Sequence, residues 1–142
     1  MEVRLSGHSV YKTQYHIVWA TKYRRRLFHR GLNKYLEKLL RIVAKEMHGV
    51  EIKELNVQIE HVHMIAIIPP MYAVSKVIQK IKGETAWMIR KRIKYLQKMH
   101  TRKDVLWSRG FFVSTVGIDE EIIKRYIKNQ EERDAGQMKF DL

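Results

Sequence analysis

The sequence of 142 residues contains no cysteine, only two prolines and few acidic residues relative to basic ones. The lack of cysteine excludes disulfides, a thiolate-bound zinc site and a cysteine nucleophile. No segment reaches the roughly 18 continuous apolar residues that span a membrane, and the first residues lack the apolar core of a signal peptide. We therefore expect a cytoplasmic protein without a membrane segment.

Charge and size point to one basic domain. A hydrophobic content of 45% over this length is enough for a substantial core. The 28 lysines and arginines outnumber the 15 aspartates and glutamates, so the net charge is +13. Such an excess favours a polyanionic partner. Tyr23, Trp87 and Tyr95 are interspersed among basic residues at 22–26 and 80–98, a composition that suits the unpaired bases of single-stranded nucleic acid.

The hydrophobic pattern changes between strand and helix periods along the chain. Strands are predicted at 10–21, at 50–57, in the histidine-containing segment before Pro69 and at 111–116, and helices at 32–47, at 75–100 and after Asp119. We expect Gly49 to end the first helix, Gly83 to break or bend the second, and Gly117 to release the chain into the last.

This order of elements is typical of the split β-α-β arrangement of ferredoxin-like folds. We therefore expect one α+β domain over residues 1–142. Its four-stranded antiparallel sheet carries helices on one face, and a C-terminal helix follows. Residues 131–142 are predicted to form a charged, weakly structured tail.

Two histidines, His61 and His63, lie in the apolar segment that is predicted to be a buried strand. Alternate residues of a strand point to the same face, so both imidazoles project from one face. Burying two such rings unpaired costs roughly 1–3 kcal/mol each, which favours a use for them. The pair is half of a possible metal site, and a purely structural pair is the alternative.

The last predicted helix carries Tyr126 and Gln130, which are four residues apart and therefore share one helical face. The phenolic oxygen of Tyr126 can attack phosphorus, and the amide oxygen of Gln130 can bind a cation. The alternative is that Tyr126 and Ile122 are simply core residues of an amphipathic helix.

Together these motifs resemble a known family. His61-Val62-His63 resembles the His-hydrophobic-His signature of HUH endonucleases. The segment from Tyr126 to Gln130 resembles the nucleophile helix of single-tyrosine HUH transposases, which short bacterial and archaeal insertion sequences encode. Further stretches at 15–24 and 106–117 resemble the same family, so the resemblance covers nearly the whole chain. Glu60 occupies a position where relatives often carry aspartate. This difference removes none of the residues that would bind the metal.

The resemblance implies an enzyme that cleaves and rejoins single-stranded DNA at hairpin-marked ends of an insertion sequence. Tyr126 would form a covalent 5′-phosphotyrosine, and His61, His63 and Gln130 would bind a metal. Neutral ligands that leave an open position favour loosely held Mg²⁺ or Mn²⁺, with charge supplied by the DNA, over a closed zinc site. Relatives act as homodimers with composite active sites. No nucleotide cofactor is expected, because the chain has no G-x-x-x-x-G-K-[ST] loop.

The predicted contacts to DNA are Lys12, Arg24, Arg25 and Arg109, four basic residues within the matching region. Two other interpretations remain open. One is a noncatalytic module that binds single strands through aromatic residues of the sheet, which leaves the histidine, tyrosine and glutamine set unexplained. The other is a domesticated relative that processes palindromic repeats by the same chemistry, which only genomic context would separate.

Overall fold

The computed structural model describes residues 3–7, 9–92, 106–115 and 120–140. Its elements in chain order are β1 Arg4–Ser6, β2 Ser9–Tyr11, β3 Gln14–Ala20, a 3₁₀ turn at Lys22–Arg24, α1 Leu32–Lys45, β4 Glu51–Val57, β5 His61–Ile67, α2 Val74–Arg92, β6 Phe112–Ser114 and α3 Glu120–Phe140. Among these described segments, no helix combines the length and apolar character that a bilayer crossing requires.

The central sheet has the strand order β4-β5-β3-β6, and every neighbouring pair is antiparallel. Helix α1 connects β3 to β4, and α2 lies between β5 and β6. This is the split β-α-β topology, so the predicted α+β class and ferredoxin-like arrangement are confirmed. The two short strands β1 and β2 form a separate hairpin at the start of the chain.

The hydrophobic core lies between the sheet and the helices α1 and α2. Strand alternation sends Ile17 and Trp19 of β3 to this side, together with Val62 and Met64 of β5. Helical spacing supplies the opposing apolar side chains, which are Leu36, Leu39, Leu40 and Val43 of α1 and Val77, Ile78, Ile81 and Ile89 of α2. We call this the core face of the sheet.

Helix α3 packs against the opposite face, which we call the site face. Phe112 of β6 pairs with Val18 of β3, which in turn pairs with His63, so these three side chains share one face. The ring of Tyr126 in α3 lies against Phe112, with 6.1 Å between centroids. Val18 on the sheet and Ile127 on α3 are both buried, yet neither belongs to the main core cluster.

Some predicted boundaries were wrong for local reasons. The strand expected at 10–21 is divided between β2, which pairs with β1, and β3, which pairs with β5 and β6. Helix α2 is continuous through Gly83, which is exposed. A glycine inside a helix costs about 1 kcal/mol relative to alanine, and α2 tolerates this cost. The predicted helical end at 93–100, Gly117 and the Asp119 cap lie outside the described residues.

The prediction of a weakly structured tail at 131–142 was also wrong over the described part. Helix α3 continues to Phe140. Asp134 is only 3% exposed, and its carboxylate accepts a hydrogen bond from the backbone N–H of Tyr23 at 2.9 Å. Composition alone predicts that such a charged segment stays in solvent. It does not reveal that Asp134 has a partner in Tyr23, because Tyr23 lies far away in the sequence.

Candidate active site

The histidine pair lies at the start of β5, on the site face. In this strand the buried residues Val62 and Met64 alternate with the partly buried residues His61 and His63. The strand period of two therefore directs both imidazoles to the same face. The β5 backbone is paired on both sides, with β3 and with β4, so the two rings project from a rigid element.

Glu60 orients the ring of His61. Its Oε1 lies 2.8 Å from Nδ1 of His61, and the two side chains are 15% and 14% exposed. A carboxylate on one ring nitrogen fixes the orientation of an imidazole and leaves the other nitrogen as the ligand atom. With Nδ1 donating to Glu60, Nε2 of His61 is left to bind a cation.

His63 has a ring nitrogen that is shielded from solvent. Its Nε2 is buried and has no hydrogen-bond partner among the described residues. Burial lowers the pKa of His63 below its ordinary value of 6.5, and the neighbours His16 and His61 lower it further against the opposing effect of Glu54. A neutral imidazole is the form that binds a cation. His63 also lines an open cavity of about 360 Å³ beside Glu54 and Asn56.

A third histidine, His16 of β3, lies beside His63. The strand register places Val18 opposite His63, so His16 is one diagonal step away on the same face. The two rings stack, with centroids 5.9 Å apart and planes inclined by 27°. Nδ1 of His16 is buried and lacks a hydrogen-bond partner within the described part of the chain. Sequence reasoning missed this residue because it depends on the pairing register.

Tyr126 and Gln130 lie one turn apart on α3. Nε2 of Gln130 donates a hydrogen bond to the hydroxyl oxygen of Tyr126 at 3.0 Å. Burial raises the pKa of Tyr126 above its ordinary value of 10.0; the Gln130 hydrogen bond and Arg133 lower it, and Asp134 raises it. In this arrangement the phenol is protonated at neutral pH and is a weak nucleophile.

The amide of Gln130 is also held by the loop that precedes β6. Its Nε2 donates to the carbonyl of Arg109 at 3.0 Å, and the hydroxyl of Ser108 lies 3.4 Å from its Oε1. Lys82 of α2 fixes this loop by donating to the carbonyls of Ser108 and Gly110 at 2.8 and 2.7 Å. Gln130 therefore has to leave these partners before its oxygen can turn toward a cation on β5.

The sheet relates these two pairs of residues to each other. Phe112, Val18 and His63 lie side by side across β6, β3 and β5. Two strand spacings therefore separate Phe112 from His63, which is about 10 Å between Cα atoms. Tyr126, packed on Phe112, lies on the same face as the histidines. The structure groups the residues in two pairs on one face.

The donor chemistry of these residues fits a divalent cation. His61 has a ring nitrogen left free by its bond to Glu60, and His63 has an orphaned buried Nε2. Over the described ranges, no three side chains of the His, Cys, Asp or Glu types are placed to hold a metal ion. Two imidazoles alone make an incomplete site, so an amide or phosphate oxygen must supply the remaining contacts.

The four predicted DNA contacts lie at two ends of the sheet. Arg24, Arg25 and Arg109 are near the part of α3 that follows Tyr126, where Arg24 forms an exposed ion pair with Glu131 at 3.1 Å. Nε of Arg25 donates to a backbone carbonyl within the 3₁₀ turn at 3.1 Å. Lys12 is exposed between β2 and β3, at the other end of the sheet.

The chain matches a known family and known proteins over most of its length. Residues 9–130 match the family model described as IS200-like transposase. The chain is 35% identical over 128 residues to the transposase for insertion sequence element IS200 of Salmonella typhimurium, covering 90% of this chain and 83% of the relative. It is 26% identical over 136 residues to the ISDra2 transposase TnpA of Deinococcus radiodurans, covering 94% and 95%.

Solved structures agree with these relatives. A transposase structure from Deinococcus radiodurans R1 superposes with a TM-score of 0.77 at 28% identity, covering 89% of this chain and 97% of that one. A REP-associated tyrosine transposase bound to a REP hairpin superposes with a TM-score of 0.53 at 15% identity, covering 85% and 68%, and shows a common fold. The family match extends over most of the sequence and includes the histidine pair, Tyr126 and Gln130. This chain therefore belongs to the IS200-like transposase family.

Proposed function

We propose that this transposase cleaves and rejoins single-stranded DNA at the hairpin-marked ends of an insertion sequence. Tyr126 is the nucleophile and forms a 5′-phosphotyrosine, and His61, His63 and Gln130 bind Mg²⁺ or Mn²⁺. Family membership supports DNA strand cleavage and transfer. The hairpin-bound neighbour is related to this chain at the level of the fold, so the hairpin substrate is part of the proposal.

The observation that carries this proposal is the common face of the sheet. Both histidines project from β5 toward the side on which α3 presents Tyr126 and Gln130. Ligands for a cation beside a phenol suit transesterification of a phosphodiester, because one group activates the phosphate and the other attacks it. A noncatalytic binding module gives no reason for this combination.

The proposed reaction balances without an external energy source. After Tyr126 gives its proton to water, its Oη attacks the scissile phosphorus and forms an oxygen–phosphorus bond. The bond between phosphorus and the 3′ oxygen breaks, and this oxygen takes up a proton to leave as a 3′-OH. The phosphodiester energy is kept in the tyrosine linkage. Attack by a 3′-OH on that linkage reverses the steps and rejoins a strand.

The protein ligands have separate tasks in this scheme. When bound, a divalent cation polarises the phosphate and stabilises the negative charge that develops on it. His61 would bind through Nε2, because Glu60 occupies its Nδ1, and His63 would bind through its buried Nε2. Gln130 would add its oxygen after leaving Ser108. These ligands are neutral, so we expect tighter metal binding when a DNA phosphate supplies charge.

We also propose phosphate contacts by Lys12, Arg24, Arg25 and Arg109. The net charge of +13 supports an electrostatic contribution to binding. For single strands, the logarithm of the binding constant falls with the logarithm of salt concentration by about 0.7 per neutralised phosphate. Replacing one contacting residue by alanine should therefore make the measured slope shallower by about 0.7.

Trapping the covalent intermediate tests the proposed chemistry. The protein is incubated with a labelled single-stranded oligonucleotide that carries the hairpin flanking its gene, with Mg²⁺, Mn²⁺ or EDTA. We expect a denaturant-resistant adduct that needs the metal. Tyr126→Phe should bind the oligonucleotide and form no adduct, and His63→Ala should reduce adduct formation by about 10²-fold or more, as loss of a metal ligand does.

Tyr35→Phe is a matched control, since Tyr35 lies on α1 beneath Arg92 and away from the site face. This variant should form the adduct at the rate of the unchanged protein. An adduct that persists in Tyr126→Phe, or that forms fully in EDTA, contradicts the proposal. Binding without any adduct in the unchanged protein would favour the noncatalytic module.

We propose further that the protein acts as a homodimer in which the histidines of one chain serve the tyrosine helix of the other. The histidines and the tyrosine lie on separate elements, β5 and α3, so two chains could each supply one of the two groups. A mixture of His63→Ala and Tyr126→Phe proteins tests it, since only a composite site can combine intact groups from both. Adduct formation by the mixture is expected, and its absence in a verified mixed dimer would show that each chain uses its own histidines.

A further inference from the structure

The rings of His61 and His63 are held by contacts of different kinds. A carboxylate oxygen of Glu60 lies 2.8 Å from Nδ1 of His61 and orients that ring. His63 has no such partner among the described residues, and its Nε2 is buried there without a hydrogen bond. The orientation of a metal-ligating histidine is ordinarily fixed by a partner on its second nitrogen. For His63, a contact of another kind has to take this role.

The ring of His16 supplies such a contact. The centroids of the two imidazoles are 5.9 Å apart, and their planes are inclined by 27°. Aromatic rings attract each other at this separation in an offset stack. Because the attraction depends on the angle between the rings, rotation of the His63 ring about its side-chain bonds would weaken it. The stack thus favours one orientation of the His63 ring over the others.

The backbone of His16 is fixed on both sides. His16 lies in β3, where it is paired with Ile65 of β5 and with Ser114 of β6. The register places Val18 directly opposite His63, so the rings of His16 and His63 meet along a diagonal of the sheet. Core strands that are bonded along both edges are among the most stable parts of a fold. His16 is therefore a rigid support for the ring beside it.

The buried nitrogen of His16 argues against a purely structural role. Its Nδ1 is shielded from solvent and has no hydrogen-bond partner within the described ranges. A buried polar atom without a partner is unfavourable for folding. The next residue on the same face of β3 is Val18, which is fully buried and has no polar atom in its side chain. Stability alone would favour an apolar side chain at position 16 as well.

We propose that His16 is a positioning residue, which holds the imidazole of His63 by ring stacking in the orientation that presents Nε2 to the cation. The proposal rests on the proposed role of His63 as a metal ligand. His16 acts through His63 and is not itself a ligand, since the described residues include no group of three such side chains placed around one metal position. Glu60 and His16 thus have the same task for the two histidines, one by a hydrogen bond and the other by stacking.

Manganese binding tests this role. The dissociation constant of Mn²⁺ is measured by electron paramagnetic resonance in a Tyr126→Phe background, with the hairpin oligonucleotide bound, so that a DNA phosphate is present and no cleavage occurs. His16→Leu removes the flat ring and should weaken Mn²⁺ binding about tenfold, as loss of a residue that orients a metal ligand does. His16→Phe restores a flat ring without a nitrogen and should recover most of this affinity. His48→Leu is the matched control, because His48 is an exposed histidine after α1, and it should bind Mn²⁺ as the background protein does.

Stability separates positioning from a structural role. In urea denaturation of the metal-free protein, the free energy of unfolding of His16→Leu should be no lower than that of the unchanged protein, because the substitution removes an unpartnered buried nitrogen. An unchanged Mn²⁺ affinity in His16→Leu overturns the proposal. Equal losses of affinity in His16→Leu and His16→Phe also overturn it, since the nitrogen and not the ring would then be required. His16→Val replaces His16→Leu if that variant does not fold.

Nuclear magnetic resonance of the metal-free protein tests the stack itself. Carbon-13 relaxation gives the order parameter of a ring C–H bond of His63, which reports how firmly the ring is held. We expect this order parameter to fall in His16→Leu and to be kept in His16→Phe, since only the second variant has a ring against His63. A value that His16→Leu leaves unchanged overturns the proposal. If His63→Ala binds Mn²⁺ as tightly as the background protein, the proposed metal site fails, whereas the relaxation result still decides whether His16 holds the ring of His63.

Discussion

The two faces of the central sheet are covered in different ways. On the core face, α1 and α2 bury apolar side chains such as Leu36 and Ile78, which are fully inaccessible to solvent. On the site face, α3 is held by polar contacts of Gln130 and Asp134 and by a few apolar ones such as Ile127. Apolar burial is non-directional and sums over many atoms, whereas each polar contact depends on a few atoms in a specific geometry.

This difference shows which part of the molecule is suited to move. Detaching α1 or α2 would expose a large apolar surface, which is strongly unfavourable in water. Detaching α3 exposes mainly groups that water or DNA phosphates and sugars can also satisfy, so the net loss is smaller. In the proposed function Tyr126 attacks a phosphate, and such a nucleophile gains from lying on the second kind of element.

The largest effect should come from weakening the core face. Leu36→Ala removes a fully buried side chain of α1 and should lower the free energy of unfolding by about 2–5 kcal/mol, measured by urea denaturation. Ile42→Ala on the same helix is the control, because Ile42 is 53% exposed and should change the value by no more than about 0.5 kcal/mol. Equal losses in the two variants would contradict the assigned core face.

A buried charge should have a more local effect on the site face. Lys22→Met leaves Asp134 without its buried cation, a loss of about 3–5 kcal/mol while the helix stays in place. Because α3 can detach and expose Asp134 to water, we expect the global loss to be smaller than that of Leu36→Ala. Limited trypsin digestion should instead cut faster within 120–134.

The double variant Lys22→Met/Asp134→Leu removes both charges and should resist trypsin better than Lys22→Met alone. If Lys22→Met instead lowers global stability as much as Leu36→Ala and leaves α3 protected from trypsin, the two faces do not differ in the way described.

The junction between α1 and β4 offers a smaller test of the core side. Gly49 has a φ of +82°, and a Cβ atom there would lie 2.7 Å from Cγ of Pro69. Gly49→Ala should therefore lower the free energy of unfolding by about 1–3 kcal/mol in a thermal denaturation series. Gly83→Ala is the matched control, since its Cβ would meet nothing within 4 Å, and helix propensity should then stabilise the protein by up to about 1 kcal/mol.

The smallest expected effect concerns pH and the loop that holds Gln130. Burial lowers the pKa of Lys82 to about 8, against the opposing effect of Asp134, while its ordinary value is 10.5. Between these values the unfolded chain binds more protons than the folded one, so the contribution of Lys82 to stability rises with pH. From pH 7 to pH 9, the unchanged protein should gain up to about 1 kcal/mol relative to Lys82→Met in urea denaturation. A gain of the same size from pH 5 to pH 7 would contradict the lowered pKa.

Much of the fold and of the candidate site was predictable because it follows from local periodicity. The strand period of two placed His61 and His63 together, and the helical period placed Tyr126 with Gln130. The alternation of strand and helix patterns likewise predicted the sheet topology. These relations depend on backbone geometry over a few residues, so they are present in the sequence before any tertiary contact forms.

Contacts between distant segments were decided only by the tertiary structure. The stacking of His16 on His63 depends on the register between β3 and β5, and the burial of Asp134 depends on a contact with Tyr23 across 111 residues. No local pattern identifies either residue. The period of the side chains predicts the face on which a residue lies, but the partner it contacts there depends on the register between distant segments. The sequence thus determined the two chemical pairs of this transposase, and packing of α3 on the sheet placed them on one face, because that contact joins segments far apart in the chain.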